Sequence, residues 1–499
     1  MKGRPRVAAH VLVVLALTSA GCVVGPMYKQ PSAASPPTFK EQPPVNFKEA
    51  ESAGWKQSRP ADSYEKGRWW ELYDEADLNA LEEQVSVSNQ NVAQAEAEYR
   101  QARAAASVAR APLFPTVTAA PAITTGSPTA TRNDSGASNQ TGFTSNQTGF
   151  TLPFNVSWEP DLWGSVRRGA TAGIATAEAQ AANVANARLL FQAELAQDYF
   201  GLRGIDGEAE LLTRTQGSYE EYLTLTRNRF SAGIASDLDV AQAEAQLYAV
   251  QAQLMDLGVQ RAAFEHAIAI LIGKAPAELT IPPAALTGSP PPVPLGVPSE
   301  LLERRPDIAS AERQVAAANE QIGIAMAAFY PNLNLTGSAG FASSTLAQWL
   351  TWPSRFWSVG PQLAATLFDA GRRRGIVAQQ QAAYDATVAA YRQTVLTAMQ
   401  QVEDNLAALR ILSGEADKVQ QTVESASRAL DISAAQYRAG TASYLTVISS
   451  QATLLSANVT AVTLQTRRLT ASVLLIDALG GGWTTSQLPT GQQAITPRR

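Results

Sequence analysis

Very few residues in this sequence have side chains that could carry out catalytic or metal-binding chemistry. Cys22 is the only cysteine, and of the two histidines His10 lies near the N-terminus and His266 in an apolar helical pattern. Zinc sites and Cys–His or Ser–His dyads need more of these groups, and no phosphate-binding glycine loop or nucleophile-elbow motif is present. With a formal charge of −5 and no basic, aromatic-rich run, nucleic-acid binding is disfavoured too. The sequence predicts a protein that is not an enzyme and holds no metal or cofactor.

The single cysteine stands in a pattern typical of covalent lipid attachment. Basic residues precede the apolar run VLVVLALTSAG, and Cys22 follows directly after it. A basic start, a short apolar core and small residues before a cleavage point are typical of a secretory signal peptide. The pattern resembles a bacterial lipoprotein signal, which predicts removal of residues 1–21 and acylation of Cys22. The alternative is ordinary cleavage after Ala20 with a free thiol, because Ser19 stands where such signals usually carry leucine.

The chain contains two copies of one long unit. RFSAGIASDLDVAQAEAQL, from Arg229, aligns with QYRAGTASYLTVISSQATL, from Gln436. Upstream, APLFPTVT aligns with AAFYPNLN, and DLWGSVRRG aligns with LFDAGRRRG between these landmarks. Three landmarks in the same order indicate one duplication rather than a solenoid of short repeats. We therefore predict a first repeat at 77–273 and a second at 299–480, with hairpin tips at 230–236 and 437–443.

Each copy is dominated by helices far longer than those of a compact domain. In the second copy an apolar stripe at spacings of three and four runs without proline from Gly371 to Gly440, which predicts a helix on the order of 100 Å long. The helices after the tips, at about 237–271 and 445–479, are half as long. The helices that open the copies, at about 77–111 and 299–328, match that half length. Such stripes predict long helices packed side by side in coiled-coil-like pairs.

Four further stretches alternate apolar and polar residues with the period of a β-strand. They lie at about 113–125, 148–159, 330–342 and 356–368, close to the length that a tilted strand needs to cross hydrocarbon. Pro115 and Pro331 precede strands at the points where a helix must end. In FTLPFNVSW one face is apolar, and we predict that it lies against lipid; its residues are Phe150, Leu152, Phe154, Val156 and Trp158.

Four strands cannot close a barrel, although backbone groups in lipid must all be paired. The rest of the barrel must then come from other copies of the chain. Two copies supply eight strands, a number filled by side chains, whereas three supply twelve, which leave an opening. A coiled-coil structural lipoprotein without a pore is the alternative, but it leaves the alternating strands unexplained.

At these residues the sequence resembles the TolC/OprM-like outer membrane factor family, in its NodT-type lipoprotein branch. The motifs are Cys22 with VVGPMYKQP, WWELYDEADLNALEEQ from Trp69, LLERRPDIASAERQVAAANEQIGIAMAAFYPNLNLTGSAG from Leu301, YRAGTASYLTV, and ALGGGW from Ala478. The resemblance implies a mixed fold, in which a homotrimer forms a twelve-stranded β-barrel in the bacterial outer membrane. Below it, a helical tunnel would cross the periplasm inside an equatorial domain. That domain would be built from 22–76, the Pro-rich linker 274–298 and the tail 481–499.

The same resemblance implies the function. The protein would be the exit duct of a tripartite efflux system, passing small molecules such as drugs or toxic organic compounds. Its partners would be a periplasmic adaptor and an inner-membrane pump of the resistance-nodulation-division type. The alternative within the fold is an outer membrane channel of a type I secretion system, which exports polypeptides.

The hairpin tips carry the residues expected to gate the duct. Gly233 and Gly440 predict left-handed turns, and the resemblance implies adaptor docking there, together with Phe230 and Tyr437. Members of the family often carry Asp in a Y-L-T-x-L-D pattern after the second tip, where this chain has Ser449. We therefore expect an apolar constriction at Leu445, next to Thr446, that closes by excluding water. Asp237 and Asp239 of the first tip would add negative charge, or would simply cap their helix.

Arginines stand where the long helices begin, at Arg167-Arg168 and at Arg372–Arg374. Cations at a helix N-terminus oppose the helix dipole, so other groups must compensate them. Lipid phosphates and neighbouring carboxylates are the two alternatives.

Overall fold

The computed structural model describes residues 23–33, 35–41, 68–126, 147–292 and 298–495. The signal segment 1–21 and the lipidation residue Cys22 lie outside the described residues, as do parts of the equatorial segment and the loop 127–146. Within these ranges the chain forms helices and one antiparallel sheet. The α-helices are α1 Ala76–Ser88, α2 Gln90–Arg110, α3 Ser165–Ser231, α4 Asp237–Leu271, α5 Leu301–Arg304, α6 Pro306–Ala327, α7 Arg372–Arg438 and α8 Tyr444–Ala478.

The duplication is visible in the helix lengths. Both α3 and α7 have 67 residues, and both α4 and α8 have 35. These two helices of the second copy each begin 207 residues after their counterparts, since α3 starts at 165 and α7 at 372, and α4 starts at 237 and α8 at 444. At 1.5 Å per residue, α3 and α7 are about 100 Å long. The long helix of each copy thus has a half-length helix folded back along it.

The helix that opens the first copy is broken, where the sequence predicts it to be continuous. The break is at Asn89, which is buried and caps α2: its Oδ1 accepts hydrogen bonds from the backbone N–H groups of Asn91 and Val92, at 2.9 and 3.2 Å. Its Nδ2 donates to the carbonyl of Leu271, the last residue of α4, at 2.8 Å. Asn89 thereby joins the start of one helix to the end of another.

The second copy repeats this junction with different side chains. Arg305 separates α5 from α6, and the following Pro306 explains the break because proline disfavours helical geometry in the residue before it. Arg305 Nη1 donates to the carbonyl of Ala478, the last residue of α8, at 2.8 Å. Leu271 and Ala478 are counterparts, so the two junctions are equivalent in position.

The sheet contains β1 Thr116–Ala119, β2 Ala122–Gly126, β3 Gln147–Trp158, β4 Asn332–Ser343 and β5 Arg355–Ala364. All neighbours are antiparallel, in the order β1/β2, β3, β4, β5, and both β1 and β2 pair with β3. The first predicted strand is thus interrupted at Ala120-Pro121, since proline cannot donate a ladder hydrogen bond. The last ends at Ala364 rather than at Phe368.

Three segments outside the repeats, 23–41, 274–292 and 481–495, lie against the helices, and we call their described residues the belt. The first is held by Glu403, whose carboxylate accepts from the backbone N–H groups of Lys40 and Glu41 at 2.7 and 2.8 Å. The second is held by Glu265, which accepts from the N–H of Ile281 at 2.6 Å. The third is held by Glu178, which accepts from the N–H of Gly491 at 2.9 Å.

One helix among the described residues, α8, is long and apolar enough by length and composition to cross a membrane. It packs against both α7 and α3. Its apolar side chains therefore serve, at least in part, the packing of helix against helix.

Candidate functional site

The strand register gathers the predicted lipid-facing residues onto one face of the sheet. Phe154 lies opposite Ala119 and Ala339, and Trp158 lies opposite Leu335. Directly opposed residues of an antiparallel pair share a face, so the apolar positions of all strands form one surface. It contains Val117, Ile123, Phe150, Leu152, Phe154, Val156, Trp158, Leu333, Leu335, Phe341, Trp357, Val359 and Leu363. Most of these side chains are exposed or half-buried, so the described chain provides no core to cover them.

The opposite face of the sheet is polar. Thr118, Asn155, Ser338 and Ser358 follow one another across the strands. One row away, Ser157 Oγ donates to Asn334 Oδ1 at 3.2 Å. One apolar and one polar face suit a sheet with lipid on one side and water on the other.

The described sheet has two edges that pair with no other described strand of this chain. One edge is formed by β1 and β2 together, and the other is formed by β5. Unpaired strand edges are costly in lipid, so the sheet is incomplete as a membrane-spanning structure by itself.

Aromatic residues bind the helical end of the sheet together. Trp163 stacks on Tyr330 with ring centroids 4.7 Å apart, and its Nε1 donates to the carbonyl of Pro331 at 2.6 Å. Trp158 Nε1 donates to the carbonyl of Leu113 at 3.2 Å, next to the turn that contains Pro115. Both prolines lie between a helix and a strand.

Most of the arginines at the starts of the long helices are paired with carboxylates. Arg167 pairs with Asp161 at 3.0 Å, and buried Arg168 pairs with Glu320 at 2.7 Å. Arg373 pairs with Asp369 at 2.6 Å, which lowers the pKa of that carboxyl group through the hydrogen bond. Carboxylate pairing therefore accounts for these three, whereas Arg372 and Arg374 are exposed.

Both tips end their long helix in the same way. Gly233 and Gly440 have φ of 74° and 77°. After Gly233, the N–H of Ile234 bonds back to the carbonyl of Arg229 at 2.8 Å, and Thr441 bonds back to Gln436 at 2.9 Å. These are Schellman motifs, in which glycine takes the left-handed position.

The two tip aromatics, which the sequence places on the same footing, have different environments. Phe230 is 46% exposed, whereas Tyr437 is only 5% exposed. Tyr437 contacts Tyr444 with ring centroids 5.3 Å apart. The side chain of Tyr437 is thus packed inside the chain whereas that of Phe230 is open to solvent, and adaptor docking at these residues stays a prediction.

Arg229 is a tip residue that the sequence analysis missed. Its guanidinium lies 4.5 Å from the ring centroid of Tyr437 and donates to the Tyr437 carbonyl at 2.6 Å. It thereby joins the end of α3 to the end of α7. The sequence could have indicated this residue, because Arg229 aligns with Gln436 and only the first copy carries a cation at this position.

The predicted gate residues lie in the first turns of the helices that follow the tips. Leu445 is 59% exposed, and Ser449 Oγ donates to its carbonyl at 2.6 Å. The side chain of Thr446 lies 3.3 Å from Ser443 Oγ. Asp239 forms a capping box, because its carboxylate accepts from the N–H of Ser236 at 2.9 Å while its own N–H donates to Ser236 Oγ. Asp237 is exposed.

No cluster of three or more His, Cys, Asp or Glu side chains that could hold a metal occurs in the described part of the chain. The arrangement offers surfaces instead: a two-faced sheet, paired long helices about 100 Å in length, and two helical tips at their far end. These features are those of a membrane channel protein with a β part and an α part.

The chain belongs to the outer membrane efflux protein family. The model of that family, described as "Outer membrane efflux protein", matches residues 81–274 and 297–481. These ranges correspond closely to the two repeats.

Named relatives agree with this assignment. The chain is 31% identical to the outer membrane protein OprJ of Pseudomonas aeruginosa, over 94% of this chain and 95% of that protein. It is 30% identical to the probable efflux pump outer membrane protein TtgC of Pseudomonas putida, over 97% of each. Among solved structures, the outer-membrane channel OprN superposes with a TM-score of 0.82 at 30% identity, covering 93% of this chain and all of OprN.

The family resemblance and the efflux function inferred from the sequence are thereby confirmed, and the protein is an outer membrane efflux protein. Family members are channels rather than enzymes. Nothing in these relatives favours polypeptide export.

Proposed function

We propose that three copies of this chain form one exit duct, with a twelve-stranded barrel in the outer membrane and a helical tunnel in the periplasm. The observation that carries the proposal is the internal duplication, since the contacts between the two copies in one chain provide a template for contacts between chains. The free strand edges supply the reason for assembly, because they need partners in lipid.

The helices show which contacts are missing. α3 packs against α2 and α4, and also against α6 and α8. Its counterpart α7 packs extensively only against α6 and α8 within the described helices. If the second copy is to have the environment of the first, α7 must pack against α2 and α4 of a neighbouring chain.

The side chains for this contact are exposed on α4. On α8, Val462 and Thr466 lie against α3 at Gly207 and Gly204. Their counterparts on α4, 207 residues earlier, are Met255 and Val259, which are 77% and 69% exposed.

The receiving positions on α7 are also open. The counterparts of Gly204 and Gly207 are Ile411 and Gly414. Ile411 is exposed, and a Cβ added at Gly414 would meet no atom within 4 Å. We infer that Met255 of one chain packs on Gly414 of the next.

The start of the belt supports a lipid anchor on Cys22. The N–H of Val24 donates to the carbonyl of Trp163 at 3.1 Å, at the junction between the sheet and α3. This puts the first described residues at the membrane end of the helices, within reach of an acyl chain on the preceding cysteine. From there the belt segment descends along α7, with Arg392 donating to the carbonyl of Ser32 at 3.2 Å.

At the far end, we infer that the tips close the duct and receive a periplasmic adaptor of an inner-membrane pump, of the resistance-nodulation-division type. Exposed Phe230 and the glycine turns at Gly233 and Gly440 would form the docking surface. Exposed Leu445 would form the apolar constriction, and the capping role of Asp239 leaves Asp237 as the freer carboxylate. The cargo class is small organic molecules, as relatives named for the efflux of solvents, toluene and antibiotics suggest.

Planar-bilayer recording tests the proposal as a whole. Purified full-length protein should give discrete conductance steps, because three copies enclose an aqueous path. Protein that inserts into the bilayer yet gives no conductance, even as the Leu445→Ser variant with its opened tip, would contradict it and favour a structural lipoprotein. The Leu445→Ser variant serves as a positive control for a closed tip.

A further inference from the structure

A cavity of about 170 Å³ lies in the wall of the helical part, where α6 begins and α8 ends. It is lined by Asp477 of α8, by the Arg305–Asp307 pair, and by Asn186, Leu190 and Gln401 of the long helices. The cavity sits at the break between α5 and α6 and is not a part of the tips or the sheet.

The charges in this cavity are unbalanced. Arg305 is buried, and each of its three nitrogens donates a hydrogen bond elsewhere: Nε and Nη2 donate to Asp307 at 3.0 and 2.7 Å, and Nη1 donates to the carbonyl of Ala478. The carboxylate of Asp477 receives no hydrogen bond from any residue that the structure describes. Since the lining residues of α3 and α7 are uncharged, one negative charge is left for an occupant to neutralise.

The remaining wall suits a small amphipathic molecule. Leu189 and Pro306 are buried apolar groups at the cavity, and the amides of Asn186 and Gln401 add neutral polar groups. A buried carboxylate is stabilised by an opposite charge, and an ammonium group on an apolar body matches this combination.

Leu190, which lines the cavity, lies on a different side of α3 from the residues that contact α1 and the belt segment 274–292. Gln192 of α3 bonds to Ser86 of α1, and Arg203 bonds to the belt carbonyl of Pro282. Leu190, which is 51% exposed, lies two residues from Gln192 and therefore about 200° round the helix. In the proposed trimer this side of α3 faces the duct.

We propose that the cavity is a binding site for protonated organic amines, with Asp477 as the counter-ion, one site per chain. The location in the duct wall rests on the proposed function, whereas the binding itself does not. The first copy lacks the site, because the counterpart of Asp477 is Ile270 and the residue in the position of Arg305 is Asn89.

Calorimetry with benzylammonium chloride and with neutral benzyl alcohol tests the proposal on purified full-length protein. Benzylammonium should bind at least about tenfold more tightly than benzyl alcohol at pH of about 7.5, because a charge-assisted contact is worth that much. The Asp477→Asn variant should lose this preference. The Asp404→Asn variant, which removes an exposed carboxylate of α7, should keep it.

The pH dependence supplies a second readout on the unaltered protein. Burial raises the pKa of Asp477 to about 6, with Arg305 lowering it and Asp307 raising it further. Benzylammonium binding should therefore weaken as the pH falls from about 7.5 to 5, since the carboxyl group takes up a proton. Equal binding of the amine and the alcohol, or an undiminished preference in Asp477→Asn, overturns the proposal. If the protein or its Leu445→Ser variant conducts but the protein shows no such preference, only the amine site is refuted. If the protein binds the amine and neither form conducts, the duct is refuted and the amine site stands.

Discussion

At the scale of single residues, the least expected feature is a buried acid without a partner. Glu82 of α1 is fully buried, and neither of its carboxyl oxygens has a hydrogen-bond partner in the described structure. Desolvation raises the pKa of Glu82 well above its ordinary value. The folded protein therefore holds a proton that the unfolded chain releases, and folding stability falls as the pH rises past the ordinary glutamate value.

Replacing this acid should stabilise the protein at high pH. We expect Glu82→Gln to raise the unfolding free energy by about 1–3 kcal/mol at pH of about 8 and by less at pH of about 5. Melting temperatures in detergent at the two pH values measure this. The adjacent, exposed Glu83 gives the matched control Glu83→Gln, which should lack the effect, and an unchanged pH slope in Glu82→Gln would contradict the reasoning.

The tip residues make a second prediction at this scale. Leu445→Ser should increase single-channel conductance or vancomycin sensitivity more than Asp239→Asn, because a polar side chain lets water into an apolar constriction. Asp239→Asn should instead cost about 1 kcal/mol of stability through its capping box. If Asp239→Asn opens the channel and Leu445→Ser does not, the seal is electrostatic.

At the scale of elements, the sequence predicts the long helices, the tips and the strands well because each has a strong local signal. Proline-free stripes, glycines at Gly233 and Gly440, and period-2 alternation all act within one segment. The interruptions were missed because they depend on other elements. Asn89 interrupts its helix and donates a hydrogen bond to the end of α4. Phe230 is exposed and Tyr437 is buried because of packing between helices, which no local sequence pattern encodes.

The helix junction at Asn89 yields the prediction for this scale. Asn89→Ala should lower the unfolding free energy by about 1–3 kcal/mol, since it removes a helix cap and leaves the buried Leu271 carbonyl without its donor. Thermal melting measures the loss. The exposed Asn91→Ala in the same turn is the control, and equal effects of the two substitutions would argue against the junction.

At the scale of the whole molecule, the central claim is that chains repeat between themselves the contact that the two copies make within one chain. This could not be read from the sequence, because the alignment gives counterparts but not which of them touch. The structure shows that α8 contacts Gly204 and Gly207 of α3 within one chain. The 207-residue offset between the copies then predicts the equivalent contact between chains, from Met255 to Gly414. The only cysteine in the sequence, Cys22, is the predicted acylation site. Introduced cysteines therefore have no other free thiol to pair with once Cys22 is acylated.

Disulfide formation in native membranes tests this claim most directly. The double variant Met255→Cys with Gly414→Cys should give covalent dimers and trimers, and no larger species, after mild oxidation. The in-chain equivalent, Val462→Cys with Gly207→Cys, should form its disulfide without changing the apparent mass. Monomers alone from the first pair, with the second pair oxidised normally, would contradict the account.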